Sequence, residues 1–428
     1  MTDRPATPVQ PRELTRVFAR IGLLSFGGPA AQIALMHKEL VEDRSWLSER
    51  QFLNALSFCM LLPGPEAMQL ATYAGWRIGG VRAGLIAGLL FVIPGALVIL
   101  ALASAYASYG EVPLVQALFV GIKATVIVIV VQALVKLSQK ALTGTLPYAL
   151  AAVAFLGLYA LQLPFPLIVL GAGLIGAGFM ADAPREAAAP APVSARGTAR
   201  TVALWLAIWL LPLAALWAAA PGGLLAEIGL FFAKLAVVTF GGAYAVLAYM
   251  VQEVVGDFGW LTTAQMMDAL GLAETTPGPL ILVTEFVGFL AGAQAGGWGL
   301  GLAAALVTLW VTFAPCFLWI FAGAPYIDWI ASRPRLTGAL QAITAAVVGV
   351  ILNLSLWFAA HVLFVELQSI TAGPVSVLLP VWSSLDTAAL ILMAIAAGLI
   401  RGLRLDLLTV LPLMAVAGLG LSWATGGI

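Results

Sequence analysis

This chain is a succession of long apolar runs, separated by short segments that hold most of its charges. Such runs suit helices that cross a bilayer, because a crossing helix needs about 20 apolar residues. Apolar residues make up 62% of the chain and charged residues 9%, whereas soluble domains carry about 25% charged residues. Spans of a β-barrel would alternate apolar and polar residues, and the run from Val126 to Val131 does not. The sequence therefore predicts an all-α polytopic membrane protein.

The number of these runs predicts about 12–13 transmembrane helices. The runs lie near residues 15–36, 52–75, 84–107, 113–135, 145–162, 164–181, 202–220, 226–250, 264–290, 298–322, 337–361, 384–400 and 407–425. Arg and Lys collect in every second connection, and cytoplasmic connections are the ones enriched in cations. We therefore predict a cytoplasmic N-terminus and an external C-terminus. One exception is the connection at 251–262, which carries Glu253 and Asp257 but no cation.

The two halves of the chain are related in sequence. A shift of 214 residues aligns Phe18–Pro65 with Phe232–Pro279, and 19 of these 48 positions are identical. The repeat is carried by a Phe-Gly-Gly block (FGG) at 26–28 and 240–242 and a Pro-Gly-Pro block (PGP) at 63–65 and 277–279. Because an odd number of predicted spans separates the copies, we predict an inverted repeat, which is typical of transporters.

An Ala-, Pro- and Arg-rich segment at 182–200 has no apolar periodicity. This composition predicts a flexible cytoplasmic linker. It would join an N-terminal repeat at 1–181 to a C-terminal repeat at 201–428.

Both blocks are expected to break their helices within the membrane, because Gly-Gly pairs and prolines interrupt the backbone hydrogen-bond ladder. Half-helix N-termini created by such breaks present N–H groups to an anion. Packing kinks are the alternative, but the duplication of the breaks favours a substrate cavity. The candidate substrate-binding residues at the breaks are Ser25, Phe26, Gly27, Gly28, Pro29, Pro63, Gly64, Pro65, Gln69, Thr239, Gly241, Gly242, Thr276, Pro277, Gly278 and Pro279.

Cations within the spans are further candidates, because an ionisable group in a membrane is costly and is usually functional. Arg20 and Lys234 are equivalent in the two copies, each five residues before the Ser or Thr that precedes its FGG block. They would attract an anion, or extend to the membrane interface. Lys123 lies deep within an apolar run, so it either pairs with a carboxylate or faces the cavity.

Acidic residues near the blocks have two possible roles. Glu66 follows the first PGP block and Glu285 lies in the ninth predicted span. Each would carry a coupling proton or neutralise a cation. Glu39 and Glu253 are equivalent in the two copies, and we expect them to organise the short connections after the FGG blocks.

The sequence has no nucleotide-binding loop, zinc-ligand spacing or Ser-His-Asp set. We therefore expect neither enzyme activity nor a cofactor or metal. The net charge is zero, so no basic surface indicates a nucleic-acid partner.

The residues of the first copy that carry a resemblance are Ser25–Pro29, Glu39, Arg44, Trp46 and Leu62–Pro65 with Gln69. Together with the second copy from Thr239 to Pro279, they closely resemble the chromate ion transporter family in its long, two-domain form. The resemblance covers nearly the whole chain. It implies a bacterial plasma-membrane protein that exports chromate and so confers chromate resistance, with sulfate as the related anion.

The second copy departs from the family pattern at three positions. Ala243 stands at the place of Pro29, Phe258 at that of Arg44, and Leu280 at that of Glu66. We therefore expect the first half to hold more of the anion contacts. Membrane potential or a proton gradient would drive export.

The sequence is compatible with other functions. A transporter or channel for sulfate or another anion would use the same residue types, because chromate and sulfate share shape and charge. A membrane enzyme or scaffold would need a polar catalytic cluster or a sizeable extramembrane domain, and the sequence indicates neither. Small residues such as Gly84 and Gly88 can pack spans within one chain or between two, and we favour a homodimer in the lipid bilayer.

Overall fold

The computed structural model describes residues 9–26, 28–180, 194–240, 243–274, 276–327 and 333–424. The chain forms two compact units, and each draws on both sequence repeats. Unit 1 comprises Met1–Ser104, Asp182–Ala243 and Thr276–Thr337, and unit 2 comprises Ala105–Ala181, Tyr244–Thr275 and Gly338–Ile428.

The prediction of an all-α fold is confirmed. The helices in chain order are α1 (Pro11–Leu24), α2 (Gly28–His37), α3 (Glu49–Leu61), α4 (Glu66–Tyr109), α5 (Pro113–Ala141), α6 (Thr145–Tyr159), α7 (Phe165–Phe179), α8 (Ala195–Ala219), α9 (Leu224–Val238), α10 (Ala243–Val251), α11 (Thr263–Glu274), α12 (Val283–Gly323), α13 (Pro334–Leu363), α14 (Thr387–Ala397) and α15 (Leu407–Ala424). Short 3₁₀-helices lie at Leu280–Leu282, Ala324–Tyr326 and Trp382–Ser384, and π-helices at Lys38–Glu42, Gln252–Asp257 and Gly398–Gly402.

Within the described residues, six helical segments are long and apolar enough to cross a membrane. They are α4, α5, α8, the segment Leu280–Tyr326 that contains α12, α13 and α15. Three shorter apolar helices lie at Thr145–Tyr159, Phe165–Phe179 and Thr387–Gly402. These segments support the multi-pass prediction.

Helices α4 and α12 are each two helical arms joined at a Gly-Gly kink. The second glycine of each pair has a left-handed backbone, with φ of +74° at Gly80 and +78° at Gly297. The arms fold back on each other, since a Cβ at Gly75 would lie 2.5 Å from the carbonyl oxygen of Ala83. In α12 a Cβ at Gly292 would lie 2.6 Å from the carbonyl oxygen of Leu300. Both repeats therefore place a helical hairpin after their PGP block.

Two more local structures recur in both repeats. Capping boxes join Ser48 to Gln51 at the start of α3 and Thr262 to Gln265 at the start of α11. In each box the Ser or Thr hydroxyl accepts a hydrogen bond from the backbone N–H of the glutamine, and the glutamine side chain accepts one from the backbone N–H of the Ser or Thr. These two bonds satisfy two backbone donors at the start of the helix. The π-helices at Lys38–Glu42 and Gln252–Asp257 begin 214 residues apart. The repeat in sequence is thus a repeat in local structure.

Two regions differ from the expected organisation. Strands β1 (Leu367–Ala372) and β2 (Val375–Pro380) form an antiparallel hairpin that was not predicted. Helix α8 begins at Ala195, so the last residues of the predicted linker are helical, while 182–193 lie outside the described residues.

Gly84 and Gly88 pack within the chain. A Cβ at Gly84 would lie 2.9 Å from the Phe321 ring, and one at Gly88 would lie 2.7 Å from that of Phe317. These two glycines therefore give no support for the predicted homodimer, which stays a prediction.

His37, the last residue of α2, contacts two carboxylates. Its Nε2 lies 2.7 Å from Glu49 Oε2 and its Nδ1 3.1 Å from Glu42 Oε1. The hydrogen bond to Glu49 is the main cause that raises the pKa of His37 above its usual value of about 6.5. Because the charged form is favoured in the folded state, this stabilisation is present in full below about pH 6.5. It is lost as the pH rises through the raised pKa.

Replacing His37 with Gln is expected to remove this pH-dependent stability. The unfolding midpoint of the wild type in detergent should fall relative to that of His37→Gln as the pH rises from about 6.5 to 8.5. The difference should be small, because ion pairs with exposed partners contribute at most about 1 kcal/mol. Parallel pH profiles of the two proteins would contradict a contribution from His37.

Candidate functional site

The structure confirms a helix break at each block. Helix α1 ends at Leu24 and α2 begins at Gly28, while α9 ends at Val238 and α10 begins at Ala243. The PGP blocks separate α3 from α4 and α11 from the 3₁₀-helix at Leu280–Leu282. The described residues of all four breaks belong to unit 1. Gly27, Gly241 and Gly242 lie outside the described residues.

The breaks of the two copies are joined by two reciprocal backbone hydrogen bonds. The N–H of Gly64, in the first PGP block, donates to the carbonyl oxygen of Thr239 in the second copy at 2.9 Å. The N–H of Gly278, in the second PGP block, donates to the carbonyl oxygen of Ser25 in the first copy at 2.9 Å. Each PGP turn is therefore bound to the FGG break of the other copy. Sequence analysis placed these residues in one site but did not reveal their pairing.

Both PGP glycines have left-handed backbones, with φ of +110° at Gly64 and +85° at Gly278. Only glycine adopts this region without strain, which explains why glycine stands between the two prolines. The second block is enclosed, since Thr276, Pro277 and Pro279 are all buried. In the first block Pro63 is buried and Pro65 is partly exposed, as are Phe26 and Pro29 of the first FGG break.

Helix α4 packs directly on the second PGP turn. A Cβ at Gly95 would clash with the carbonyl oxygen of Pro277. Likewise, a Cβ at Gly278 would lie 3.5 Å from the Cα of Gly95. The lack of a side chain at Gly95 therefore allows this close approach.

The predicted hydroxyl ligands bond to their own helices. Ser25 Oγ donates to the carbonyl oxygen of Ile21, and Thr239 Oγ1 donates to that of Leu235, each at 2.5 Å. Both hydroxyls are buried. They satisfy carbonyls that the last turn of a helix leaves without an intrahelical partner. In this conformation both hydroxyl groups therefore donate their hydrogens to backbone carbonyls and not to an anion.

Two buried glutamines donate to the PGP turns. Gln69 Nε2 lies 2.6 Å from the carbonyl oxygen of Pro63. Gln32 Nε2 lies 2.7 Å from the carbonyl oxygen of Gly278 and 3.3 Å from that of Ser25. Sequence analysis named Gln69 but missed Gln32. The signal for Gln32 was an amide inside an apolar run, four residues after the FGG block.

The four breaks place helix N-termini within unit 1. Helix α2 begins at Gly28 and α4 at Glu66, and the first N–H groups of a helix lack intrahelical acceptors. These ends carry a positive partial charge that favours anions. The copies differ in charge, because Glu66 places a carboxylate at the start of α4 where Leu280 stands in the second copy.

Two cations of the first copy, Arg20 and Arg44, pair with Glu39. Arg20 Nε lies 3.4 Å from one carboxylate oxygen of Glu39, and Arg44 Nη1 donates to the other. Glu39 is 3% exposed and Arg20 is 61% exposed, so one buried carboxylate is balanced by two cations. Arg44 also lies over the Trp46 ring, with 5.9 Å between its Cζ and the ring centroid. Its equivalent, Phe258, stacks on Trp260 with centroids 4.2 Å apart.

The remaining predicted charges have diverse surroundings. Lys234 is exposed and Glu253 is partly buried in the second π-helix. Glu285 is 1% exposed in the first arm of α12. Among the described residues its Oε2 has no hydrogen-bond partner.

Lys123 pairs with a carboxylate, which was one of its two predicted alternatives. Its Nζ lies 2.9 Å from Asp268 Oδ1, and Tyr106 OH donates to Asp268 Oδ2 at 2.7 Å. All three residues belong to unit 2. Lys123 also borders a cavity of about 290 Å³ that is lined by His361 and Asp386. Sequence analysis did not single out Asp268, although an aspartate in a predicted span is unusual.

Comparisons with known proteins agree with the resemblance of the FGG and PGP blocks to the chromate ion transporter family. The chain matches the chromate transporter family over residues 12–177 and 226–419. It is 32% identical to a probable chromate transport protein of Synechococcus elongatus, covering 79% of this chain and 82% of that protein. It is 30% identical to the chromate transport protein of Cupriavidus metallidurans, covering 79% and 80%. It is 32% identical to that of Pseudomonas aeruginosa, covering 82% and 81%. No solved structure matches the chain.

The two matched regions correspond to the two repeats and together cover most of the chain. Unit 1 contains the blocks by which the sequence resembles the family, in both copies. This protein belongs to the chromate transporter family.

Proposed function

We propose that this protein exports chromate from the cytoplasm across a bacterial plasma membrane and thereby confers chromate resistance. The observation that supports this most is the reciprocal pairing of the FGG and PGP breaks, through Gly64 with Thr239 and Gly278 with Ser25. It brings the breaks of both copies together in unit 1. Many secondary transporters bind their substrates where interrupted helices meet near the middle of the membrane.

A tetrahedral dianion suits the groups at these breaks. The helix N-termini at Gly28 and Glu66 offer backbone N–H groups and a positive partial charge. Arg20 and Lys234 add a cation near the break in each copy. Arg20 keeps donors for an anion, because a guanidinium has five N–H groups and its Nε is the one near Glu39.

The membrane potential suffices to drive export of a dianion. Moving one charge through 100 mV is worth about 2.3 kcal/mol, so a dianion that leaves a cell with a negative interior gains about 4.6 kcal/mol. At about 1.4 kcal/mol per decade, this supports a gradient of about a thousandfold. A proton carried with or against the anion would change the free energy gained, and the acidic residues near the PGP blocks in sequence are Glu66, Glu274 and Glu285.

The duplicated break supports an alternating-access mechanism. In an inverted repeat the two copies can exchange conformations, so that one central site opens first to one side and then to the other. The reciprocal hydrogen bonds suit this exchange, because equivalent residues of both copies hold equivalent joints. The positive-inside pattern predicts a cytoplasmic N-terminus, and the membrane potential, negative inside, favours outward movement of a dianion.

Chromate uptake into everted membrane vesicles tests the proposal. The cytoplasmic face of these vesicles points outward, so export appears as accumulation inside them when the lumen is made positive. We expect saturable accumulation that excess sulfate reduces, since sulfate shares the shape and charge of chromate. Arg20→Ala and Lys234→Ala should each lower uptake strongly, with the larger loss for Arg20→Ala.

Arg16→Ala is the matched control, because Arg16 is an exposed cation one turn before Arg20 in α1. It should retain wild-type uptake. Accumulation no greater than in vesicles without the protein would remove chromate as the exported substrate. Equal losses for Arg20→Ala and Lys234→Ala would contradict the larger role of the first copy.

A further inference from the structure

We propose that Gln32 is a positioning residue that fixes the second PGP turn for anion binding. This inference rests on the proposed transport function and adds Gln32 to the residues of the transport site. Gln32 lies in α2 of the first copy and is 2% exposed. Its amide reaches the second copy, where Nε2 donates to the carbonyl oxygen of Gly278 at 2.7 Å.

Gln32 completes the attachment of Gly278 to the first copy. The N–H of Gly278 donates to the carbonyl oxygen of Ser25, and the same oxygen lies 3.3 Å from Gln32 Nε2. Both backbone polar groups of Gly278 are therefore bound by residues of the first copy. The left-handed turn at Gly278 is therefore held through the peptide groups on both sides of its Cα.

The first PGP turn is held differently. Its glutamine is Gln69 of α4, which donates to the carbonyl oxygen of Pro63 six residues earlier at 2.6 Å. Val283 stands at the position equivalent to Gln69, and Val246 at the position equivalent to Gln32. Neither valine has a polar side-chain group. Each PGP turn thus has one glutamine donor, but the first is internal to its copy and the second crosses from the other copy.

The electrostatics of an anion site explain why such donors are needed. A broken helix exposes carbonyl oxygens as well as N–H groups, and a carbonyl oxygen with no donor repels a nearby anion. The Gly278 carbonyl precedes Pro279, which has no N–H to contribute. Gln32 donates a hydrogen bond to this oxygen. The oxygen then repels an anion less, and the helix N-termini at the breaks attract it. Loss of the donor should therefore weaken chromate binding more than it slows turnover.

The test is a comparison of KM and maximal rate for chromate uptake in everted vesicles at one imposed potential. Gln32→Met keeps the volume of the side chain and removes its donor. We expect its KM to rise about tenfold, while the maximal rate per amount of protein stays within about twofold of the wild type. Gln32→Glu should raise KM further, because a carboxylate would face the two carbonyl oxygens.

Gln116→Met is the matched control, since Gln116 is exposed on α5, and its KM should equal that of the wild type. If Gln32→Met fails to accumulate in membranes, Gln32→Asn, which stays polar and uncharged but is one methylene shorter, supports the same comparison. An unchanged KM in these variants, beside normal wild-type uptake, would overturn the role of Gln32 alone. Absence of saturable uptake by the wild type would overturn the proposed function and this role with it.

Discussion

Replacing Asp268 with Asn is expected to destabilise the protein by about 3 kcal/mol, because removing one partner of a buried ion pair leaves the other charge uncompensated. Lys123 Nζ lies 2.9 Å from Asp268, and the aspartate side chain is only 7% exposed. Lys123→Met should destabilise by a similar amount. Tyr106→Phe should cost less, about 1 kcal/mol, because it removes one hydrogen bond and no charge.

The double variant Lys123→Met with Asp268→Asn distinguishes charge from packing. It removes both charges, so we expect it to recover most of the stability that each single variant loses. Unfolding midpoints and membrane yields of the four proteins form the double-mutant cycle. Asp406→Asn, at an exposed aspartate, should stay near the wild type. Additive losses in the double variant would contradict an energetic coupling between Lys123 and Asp268.

Gly64→Ala is expected to abolish most transport. Gly64 has φ of +110°, and a Cβ there would lie 2.9 Å from Gln69 Nε2 and 3.0 Å from Cys316 Sγ. Backbone strain of this kind costs about 1–3 kcal/mol, before the crowding is relieved. Relief by movement of the turn would break the hydrogen bond from Gly64 to Thr239. Since that bond joins the two copies, we expect uptake to fall by at least about tenfold.

Gly144→Ala controls for the strain alone. Gly144 has φ of +92°, and a Cβ there meets no atom within 4 Å. It lies before α6 in unit 2 and outside the four breaks. We expect it to lower stability slightly and to leave uptake per amount of protein unchanged. Equal uptake by Gly64→Ala and Gly144→Ala would contradict a functional role of the first PGP turn.

Local features of the sequence predicted the helix breaks correctly. Gly-Gly permits non-helical backbone conformations, and each proline of Pro-Gly-Pro lacks the N–H that a helix needs. Both effects are local and do not depend on what the helix packs against. The repeat was visible because identical residues fall at a constant spacing of 214. Long apolar runs predicted the multi-pass fold for the same kind of reason, since the bilayer imposes its length on each span separately.

Contacts distant in sequence could not be predicted in this way. The partners Gly64 and Thr239, like Gln32 and Gly278, lie in different copies, and no local pattern pairs them. For Lys123 the sequence left two alternatives, because the carboxylate that neutralises it lies 145 residues further along the chain. The hairpin of β1 and β2 did have a local signal, since Gly373-Pro374 lies between β-branched residues.

Chromate flux into liposomes containing only the purified protein tests the central claim most directly. A potassium gradient with valinomycin sets the potential, and its sign can be reversed without changing the protein. We predict saturable flux that follows the sign of the potential and that falls by at least about tenfold in Gly64→Ala but not in Gly144→Ala. Flux equal to that of protein-free liposomes at both signs would contradict the proposal that this protein carries chromate through the paired breaks.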